Sequence, residues 1–267
     1  MKLDGLLLIQ ALMIGVFCYL GSVSSPWLLG VTGGYYTIGR PLVAGLVIGI
    51  ILGDVSTGII LGVAVQAAFI ATISTGGTQN QEVTYAAYGG IALGMLADAS
   101  PGVTVTLSVG IGVLGLFLHN LMMVLNSGWN RRAERAALEG DAAGIIRSNA
   151  IYPQLVNFVL RVIPVGLAIY FGEGFVEQFL LLVPEQVTQI MNVLGGLLPA
   201  LGIALLMNLL IREKSHFIFF LAGFAFIVFL TKNMIALTIF SLLVAYLFYV
   251  SMERSDGNSN LEEDEVI

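Results

Sequence analysis

Long apolar runs recur along most of the chain and constrain its fold more than any other feature. Several reach the roughly 18 to 20 residues that an α-helix needs to cross the hydrocarbon core of a bilayer. The chain is 57% hydrophobic and 10% charged, whereas soluble domains carry about 25% charged residues. This pattern predicts an all-α polytopic membrane protein. The runs lie at about 6–23, 41–73, 85–97, 103–125, 151–171, 194–211, 217–230 and 234–250.

Polar residues interrupt the apolar stretch 40–88, and a lipid-facing helix has no use for such breaks. Non-helical backbone and ionisable side chains at membrane depth are tolerated only where protein or a water-filled cavity covers them. The runs 85–97 and 217–230 are also too short to span a bilayer comfortably. Short or interrupted segments are typical of the re-entrant or broken hairpins that carry binding sites in transporters. The stretch therefore indicates a polar pathway and transport.

The domain organisation follows from two polar regions. We expect one membrane domain over 1–250, with halves at about 1–125 and 151–250 joined by a polar loop at 126–150, and an acidic disordered tail at 251–267. Basic residues in short loops favour the cytoplasmic side, so we place this loop inside the cell. It is either a solvated connector or a docking surface for a cytoplasmic partner. Its basic residues are Arg131, Arg132, Arg135 and Arg147.

Asp54 and Thr57 lie between two apolar stretches that suit two helices and a turn. Asp54 either caps the second helix or acts directly as a ligand or coupling residue. Gln66 stands alone in the next apolar run. A buried amide must find partners for two donors and an oxygen, and either sugar hydroxyls or a neighbouring helix can supply them.

The segment 74–82 is dense in neutral polar groups and ends in one carboxylate. Ser74, Asn80 and Glu82 offer the amides, hydroxyl and carboxylate that bind pairs of sugar hydroxyls. An exposed loop is the alternative, because turn residues dominate the segment. Together with Gln66, these three residues are our candidate substrate site.

Arg161 lies inside an apolar segment, where an arginine costs roughly 2.5 to 3.5 kcal/mol on insertion scales unless it is paired or snorkels. We expect it to have a partner, in a structural role or at the substrate. The single cysteine, Cys18, cannot form an intramolecular disulfide and is interpreted as a packing residue. The residues assemble into no catalytic site, phosphate loop or metal cluster, so we expect no enzymatic activity of this chain alone and no cofactor. No basic patch suggests nucleic-acid binding.

The order and spacing of several motifs resemble the IIC membrane component of the mannose, fructose and sorbose family of the bacterial phosphotransferase system. The resemblance extends from the first apolar segment to about Tyr249. It includes an Arg-Pro-Leu, a Leu-Gly-Asp and a Thr-Gly motif, followed by an arginine with a proline three residues later and by a glycine-rich run. The matching residues are Arg40, Pro41, Leu42, Leu52, Gly53, Asp54, Thr57, Gly58, Arg161, Pro164, Gly195, Gly196 and Gly202.

This resemblance implies a multi-pass subunit of the bacterial cytoplasmic membrane that binds and moves a sugar. It implies a IID membrane partner, and cytoplasmic IIA and IIB proteins that relay a phosphoryl group from phosphoenolpyruvate on histidines. The sugar is then phosphorylated on IIB, outside this chain. A trimer of IIC–IID pairs, with a mobile core and a scaffold in an elevator-like motion, is also implied.

One departure from the resemblance bears on specificity. Many relatives carry Glu where Gln66 stands, at the end of a Gly-Gly-Thr-Leu-Glu pattern that reads GVAVQ here. We therefore expect a sugar other than glucose or mannose: another hexose, an amino sugar such as N-acetylgalactosamine, or a sugar derivative. Two other classes compete with this interpretation. One is an ion- or proton-coupled secondary transporter in which Asp54 or Glu82 titrates, and the other is a membrane scaffold without transport.

Overall fold

The computed structural model describes residues 5–72, 82–182, 185–211, 213, 216–230 and 233–264, and within these residues all regular structure is helical. Eleven α-helices are described, together with four π-helical segments at Val31–Ile38, Ala86–Gly90, Arg147–Ile151 and Phe226–Leu230. The helices are α1 Gly5–Leu20, α2 Pro41–Leu52, α3 Val55–Ala68, α4 Val83–Tyr85, α5 Ile91–Leu96, α6 Pro101–Leu138, α7 Ala142–Ile146, α8 Tyr152–Leu182, α9 Glu185–Leu210, α10 Phe217–Ala225 and α11 Met234–Asp264.

Several helices have the length and composition of membrane spans. Three are long and apolar enough to cross a bilayer, at Pro101–Leu138, Ala142–Gly172 and Gln189–Leu210. A fourth span arises if Val31–Ile38 and Pro41–Leu52, which are bent by 73° at a short break, count as one broken span. The segments Val83–Leu96 and Phe217–Leu230 are shorter. The prediction of an all-α polytopic membrane protein with broken segments is confirmed.

The chain forms two compact units, Met1–Leu206 and Met207–Ile267. In the first unit, α1 packs along α8, α2 packs along α3, and the helical stretch from α4 to α5 packs against α6. Its buried core includes Ile14, Ile48 and Ile91. In the second unit, aromatic contacts join α11 to the segment before it, including a stacked pair of rings from Phe226 and Phe240 with centroids 4.7 Å apart.

The α2–α3 pair is a tight hairpin built on small residues. Gly53 ends α2 with a φ of 88°, a left-handed conformation that glycine adopts without steric cost. The two helices then approach so closely that a Cβ atom at Gly58 would lie 2.9 Å from the Cα of Gly49. The short turn at Gly53 and Asp54 therefore separates two closely packed helices, as the sequence predicts.

Helix α6 is longer than the apolar run that predicts it. It continues through the polar region expected to be a loop and ends at Leu138. Its last turns are rich in Ala, Arg, Glu and Leu, all strong helix formers. The break comes at Gly140, which has a φ of 72°. The polar connector at 126–150 is thus largely helical, and α11 likewise continues to Asp264 through most of the acidic end.

Candidate functional site

A buried ion pair between Glu82 and Arg161 lies at the centre of the first unit. One guanidinium nitrogen, Nη2, lies 2.6 Å from Glu82 Oε1, and the other, Nη1, lies 3.5 Å from Oε2. The side chain of Glu82 is 0% exposed and that of Arg161 is 1% exposed. Arg161 was expected to have a partner, and the partner is 79 residues away in the sequence.

Glu82 occupies the N-cap position of α4, where free backbone N–H groups need acceptors. Its Oε2 accepts hydrogen bonds from the backbone N–H of Thr84 at 3.0 Å and of Tyr85 at 3.3 Å. Its own backbone N–H donates to the carbonyl of Gly112 in α6 at 3.1 Å. Four donors therefore converge on one carboxylate that solvent does not reach. Glu82, one of the four predicted substrate-site residues, is therefore buried and bonded to protein donors.

Arg161 extends the polar network toward the end of α1. Its Nε donates to Asn157 Oδ1 at 3.0 Å, one helical turn earlier on α8. Asn157 Nδ2 in turn donates to Ser22 Oγ at 3.4 Å. The guanidinium also lies over the ring of Tyr85, 4.7 Å from its centroid, in a cation–π contact. Asn157 and Ser22 are both buried, so this chain of contacts crosses the interior.

The start of α4 contacts three helices of the first unit. The Tyr85 hydroxyl donates to the carbonyl of Leu160 on α8 at 2.9 Å. The Thr84 hydroxyl donates to the carbonyl of Gly21, just after α1, at 3.4 Å. On α6, Gly115 leaves room for the Tyr85 ring, because a Cβ there would lie 2.6 Å from Tyr85 Cβ. The residues that follow the polar segment 73–81 therefore have a fixed position.

Gln66 lies on the other side of that segment in sequence, near the end of α3. Its side chain is partly buried, and its Oε1 is buried without a hydrogen-bond partner. A buried carbonyl oxygen without a partner costs free energy until a donor reaches it. No hydrogen bond joins Gln66 to the ion pair within the described parts of the chain. Ser74 and Asn80, the other two predicted site residues, fall outside the described residues.

Asp54 and Thr57 form a cap at the exposed turn before α3. The carboxylate accepts from the Thr57 hydroxyl at 2.6 Å and from the Thr57 backbone N–H at 3.0 Å. Both bonds stabilise the ionised carboxylate and so lower the pKa of Asp54 below its ordinary value. The Thr57 hydroxyl has the larger effect and the Thr57 backbone N–H the next. The capping interpretation of Asp54 agrees with this geometry, and Asp54 does not contact the buried pair.

Asn157, Ser22 and Tyr85 belong to the site although the sequence analysis did not select them. Asn157 had a signal, because it precedes Arg161 by four residues and so shares its helix face. Ser22 and Tyr85 had none, since both look like ordinary residues at segment ends. In the parts of the chain that are described, no group of three or more His, Cys, Asp or Glu side chains could hold a metal ion.

Comparisons with known proteins agree with this architecture. A sequence model of the family described as "PTS system sorbose-specific IIC component" matches residues 8–247. The mannose-specific EIIC component of Escherichia coli K12 is 26% identical over 211 residues, which are 78% of each chain. The N-acetylgalactosamine permease IIC component 1 of the same strain is 26% identical over 237 residues, covering 84% of this chain and 86% of the relative.

A solved structure shares the fold. It is a cryo-EM structure of the mannose transporter ManYZ in complex with microcin E492. The similar chain in it has a TM-score of 0.57 and 23% sequence identity, and the match covers 93% of this chain and 96% of that chain. At this identity the likeness concerns the fold alone, and it supports the helical membrane architecture described above.

Proposed function

This chain belongs to the sorbose-specific IIC component family of the phosphotransferase system, and from that membership we propose that it binds a hexose or hexose derivative and moves it inward for phosphorylation by IIB. It is a multi-pass membrane protein and a IIC permease component of the mannose-type systems. The phosphoryl transfer itself takes place on IIB, because this chain supplies binding and movement alone.

The observation that carries the proposal is the polar interior around Glu82 and Arg161. Two charged groups buried in an apolar helical protein cost several kcal/mol each in desolvation, which only good geometry offsets. Charged groups are rare in helices that face only lipid, and they often mark the pathway of a substrate or ion through the membrane. Here the pair fixes Glu82, which directly follows the polar segment 73–81 in sequence, against α8 and α6. A rigid support for a polar segment is what a sugar site requires.

Within this site we assign different roles to the predicted residues. Gln66 is the direct ligand, because its buried Oε1 has no partner within the described residues and suits a sugar hydroxyl. Ser74 and Asn80 add neutral hydrogen-bonding groups from the adjoining segment. Arg161 and the α4 backbone hold Glu82 in place, and its Oε1 keeps one acceptor position for a sugar hydroxyl. Asp54 shapes the hairpin.

The choice of sugar rests on Gln66. The relatives named for mannose and for N-acetylgalactosamine are both 26% identical to this chain, so overall similarity favours neither sugar. An amide in place of a carboxylate adds two donors and removes a charge. This change suits a substrate that presents a carbonyl acceptor, and the acetamido group of an amino sugar provides one. We therefore retain N-acetylgalactosamine or a related derivative as the proposed substrate class.

The partners follow from the family and from the surface. We propose a IID membrane subunit, cytoplasmic IIA and IIB carriers, and a trimer of IIC–IID pairs in which a mobile core moves against a scaffold. Along α9, large apolar side chains such as Val193, Leu197 and Leu201 are more than half exposed. Surfaces of this kind suit lipid or another membrane subunit.

The test is sugar uptake in cells that lack their own mannose-type systems. Cells would express this chain with IID, IIA and IIB, and would receive radiolabelled mannose, fructose, sorbose or N-acetylgalactosamine. We expect one sugar to accumulate as its phosphate ester, and omission of this chain or of IID to abolish that accumulation. Sugar recovered unmodified, with uptake that a protonophore abolishes, would contradict the proposal and favour the ion-coupled transporter.

A further inference from the structure

A second polar cavity lies away from the ion pair, where α6 ends and α8 begins. It has a volume of about 650 Å³ and is lined by residues of α6, α7 and the π-helical segment that follows. Its basic lining residues are Arg131, Arg132, Arg135 and Arg147. Glu139 and Asp141 also line it, so the cavity carries four positive and two negative groups. The proposed sugar site uses none of these residues.

The four arginines are not equally engaged. Arg147 forms an ion pair with Asp141 at 3.4 Å and donates from Nε to the carbonyl of Ala143 at 3.2 Å. Arg132 lies over the ring of Tyr152, with its guanidinium carbon 5.8 Å from the centroid. Arg131 and Arg135 have neither a hydrogen bond nor an ion pair to any residue that the structure describes. Two guanidinium groups are therefore available in one cavity.

The spacing of Arg131 and Arg135 makes an anion favourable there. Residues four apart on a helix are neighbours, and like charges at this spacing destabilise the helix. An anion between them removes the repulsion. Each guanidinium presents planar donors that match phosphate oxygens in a bidentate arrangement. A phosphate group is thus the ligand chemistry that this cavity suits.

The surroundings of the cavity are those of a membrane surface. One turn before Gly128, which lines the cavity, Val124 is 68% exposed, and Leu155, one turn into α8, is 62% exposed. The rings of Trp129 and Tyr152 pack together with centroids 4.7 Å apart. Aromatic side chains of this kind concentrate at the bilayer interface. A ligand in the cavity would have apolar surface beside its phosphate, as a phospholipid requires.

We propose that this cavity binds the headgroup of an anionic phospholipid, with its phosphate on Arg131 and Arg135 and its acyl chains along the exposed apolar residues nearby. Basic pockets beside membrane helices on the cytoplasmic side bind lipid headgroups by this chemistry. The orientation predicted from the arginines places the cavity on that side. A bound lipid would hold the connector between α6 and α8 at the membrane surface.

The test measures lipid binding to the purified full-length chain. Native mass spectrometry would record retention of dioleoylphosphatidylglycerol and of zwitterionic dioleoylphosphatidylcholine at equal concentrations. We expect preference for the anionic lipid, and roughly a tenfold or greater loss of its affinity in Arg131→Gln/Arg135→Gln, as two basic contacts predict. Arg40→Gln, which removes one positive charge outside the cavity, is the control for loss of charge elsewhere. Circular dichroism establishes that each variant is folded.

Four outcomes would overturn the proposal. Equal retention of both lipids would show that the cavity does not prefer an anionic lipid. An unchanged affinity in the double variant would show that Arg131 and Arg135 do not bind it. Competition by inorganic phosphate without any lipid preference would assign the cavity to a soluble anion. If the variant loses IIB binding in lipid-free micelles and keeps its lipid, the occupant is a protein. Arg131→Lys/Arg135→Lys, which keeps the charges, should retain more lipid than the glutamine variant.

Discussion

The carboxylate of Glu82 and the guanidinium of Arg161 bind each other. Backbone N–H groups of α4 complete the hydrogen bonds of the carboxylate, and Asn157 accepts one from the guanidinium. Removal of one partner leaves an uncompensated charge in the interior, whereas removal of both leaves only neutral groups. The same substitution that would reveal a sugar ligand at an open site would therefore reveal a folding defect here. Transport measurements on Glu82 need a stability measurement beside them.

We expect Glu82→Ala and Arg161→Ala each to lower the free energy of unfolding by about 3 to 5 kcal/mol, because each leaves a buried charge unpaired. The double variant Glu82→Gln/Arg161→Gln should recover a large part of that loss. Denaturation in mixed micelles, followed by circular dichroism, measures all three. Single variants that lose less than about 1 kcal/mol, a typical surface pair, would contradict a structural role for the pair.

Gln66 should behave in the opposite way. Gln66→Ala removes one hydrogen bond to the sugar, so we expect the KM for uptake to rise about threefold to tenfold at unchanged folded yield. Gln10→Ala is the matched control, since Gln10 donates to the carbonyl of Ile51 at 2.8 Å within the protein. That control should lower thermal stability and leave the KM unchanged. An unaltered KM in Gln66→Ala would show that Gln66 does not bind the sugar.

The sequence predicted these polar residues better than it predicted their contacts. The cost of an arginine in an apolar segment required a partner for Arg161, and Glu82 fulfils that requirement. The sequence around Arg161 did not identify this partner. Helix packing brings together two residues that are 79 positions apart, and local periodicity does not reveal such a pair. For the same reason, the sequence predicted Glu82 as a substrate-site residue without indicating its pairing with Arg161.

The α2–α3 hairpin depends on backbone contact between its helices. At Gly58, a Cβ would lie 2.9 Å from the Cα and 3.0 Å from the N of Gly49, which are backbone atoms and cannot rotate away. The two helices must separate to admit a methyl group, because the backbone carbonyl oxygen of Gly45 lies closer still to that position. The hairpin therefore tolerates little increase in side-chain volume along this contact.

Gly58→Ala should destabilise the protein by about 1 to 3 kcal/mol, the range for overpacking, although alanine favours helix formation. The matched control is Gly110→Ala on α6, where a Cβ would meet nothing within 4 Å. That variant should be neutral or slightly stabilised. Thermal unfolding of the two variants in the same detergent makes the comparison. Equal midpoints would show that α2 and α3 are less closely packed than described.

Element boundaries show why hydrophobicity alone misplaces a helix end. The apolar run predicted α6 only as far as about residue 125, but the helix continues to Leu138. Hydropathy reports where a helix leaves lipid, whereas hydrogen bonding and helix propensity decide where it ends. The turn at Asp54 was predictable, because its signals are local: a glycine C-cap and an Asp-x-x-Thr cap.

The arginines at the end of α6 predict the side of the membrane on which this end lies. By the positive-inside rule, we expect their clustering to place this end on the cytoplasmic side. The chain is well suited to a test, because its single cysteine, Cys18, is 0% exposed. The native protein should therefore give no background with a thiol reagent that does not cross membranes.

We expect Leu138→Cys to react with a membrane-impermeant maleimide in inside-out vesicles and to remain unlabelled in intact cells. Leu138 is 89% exposed, so access depends on the side of the membrane alone. The unsubstituted chain, with only Cys18, is the control and should stay unlabelled in both preparations. Labelling of Leu138→Cys in intact cells would reverse the predicted orientation and move the arginine cavity to the outer surface.

The distance along the chain between Glu82 and Arg161 also matters for biogenesis. Ribosomes add roughly 5 to 20 residues per second, so the 79 residues between the two take roughly 4 to 16 seconds to synthesise. By the end of that interval, helices α1 to α7 have been synthesised without the charge that neutralises Glu82. Until Arg161 is synthesised, the carboxylate of Glu82 remains in contact with water or with the insertion machinery. Arrival of α8 is then the step at which the polar interior can leave the aqueous phase, and synthesis of that helix sets the earliest moment of assembly.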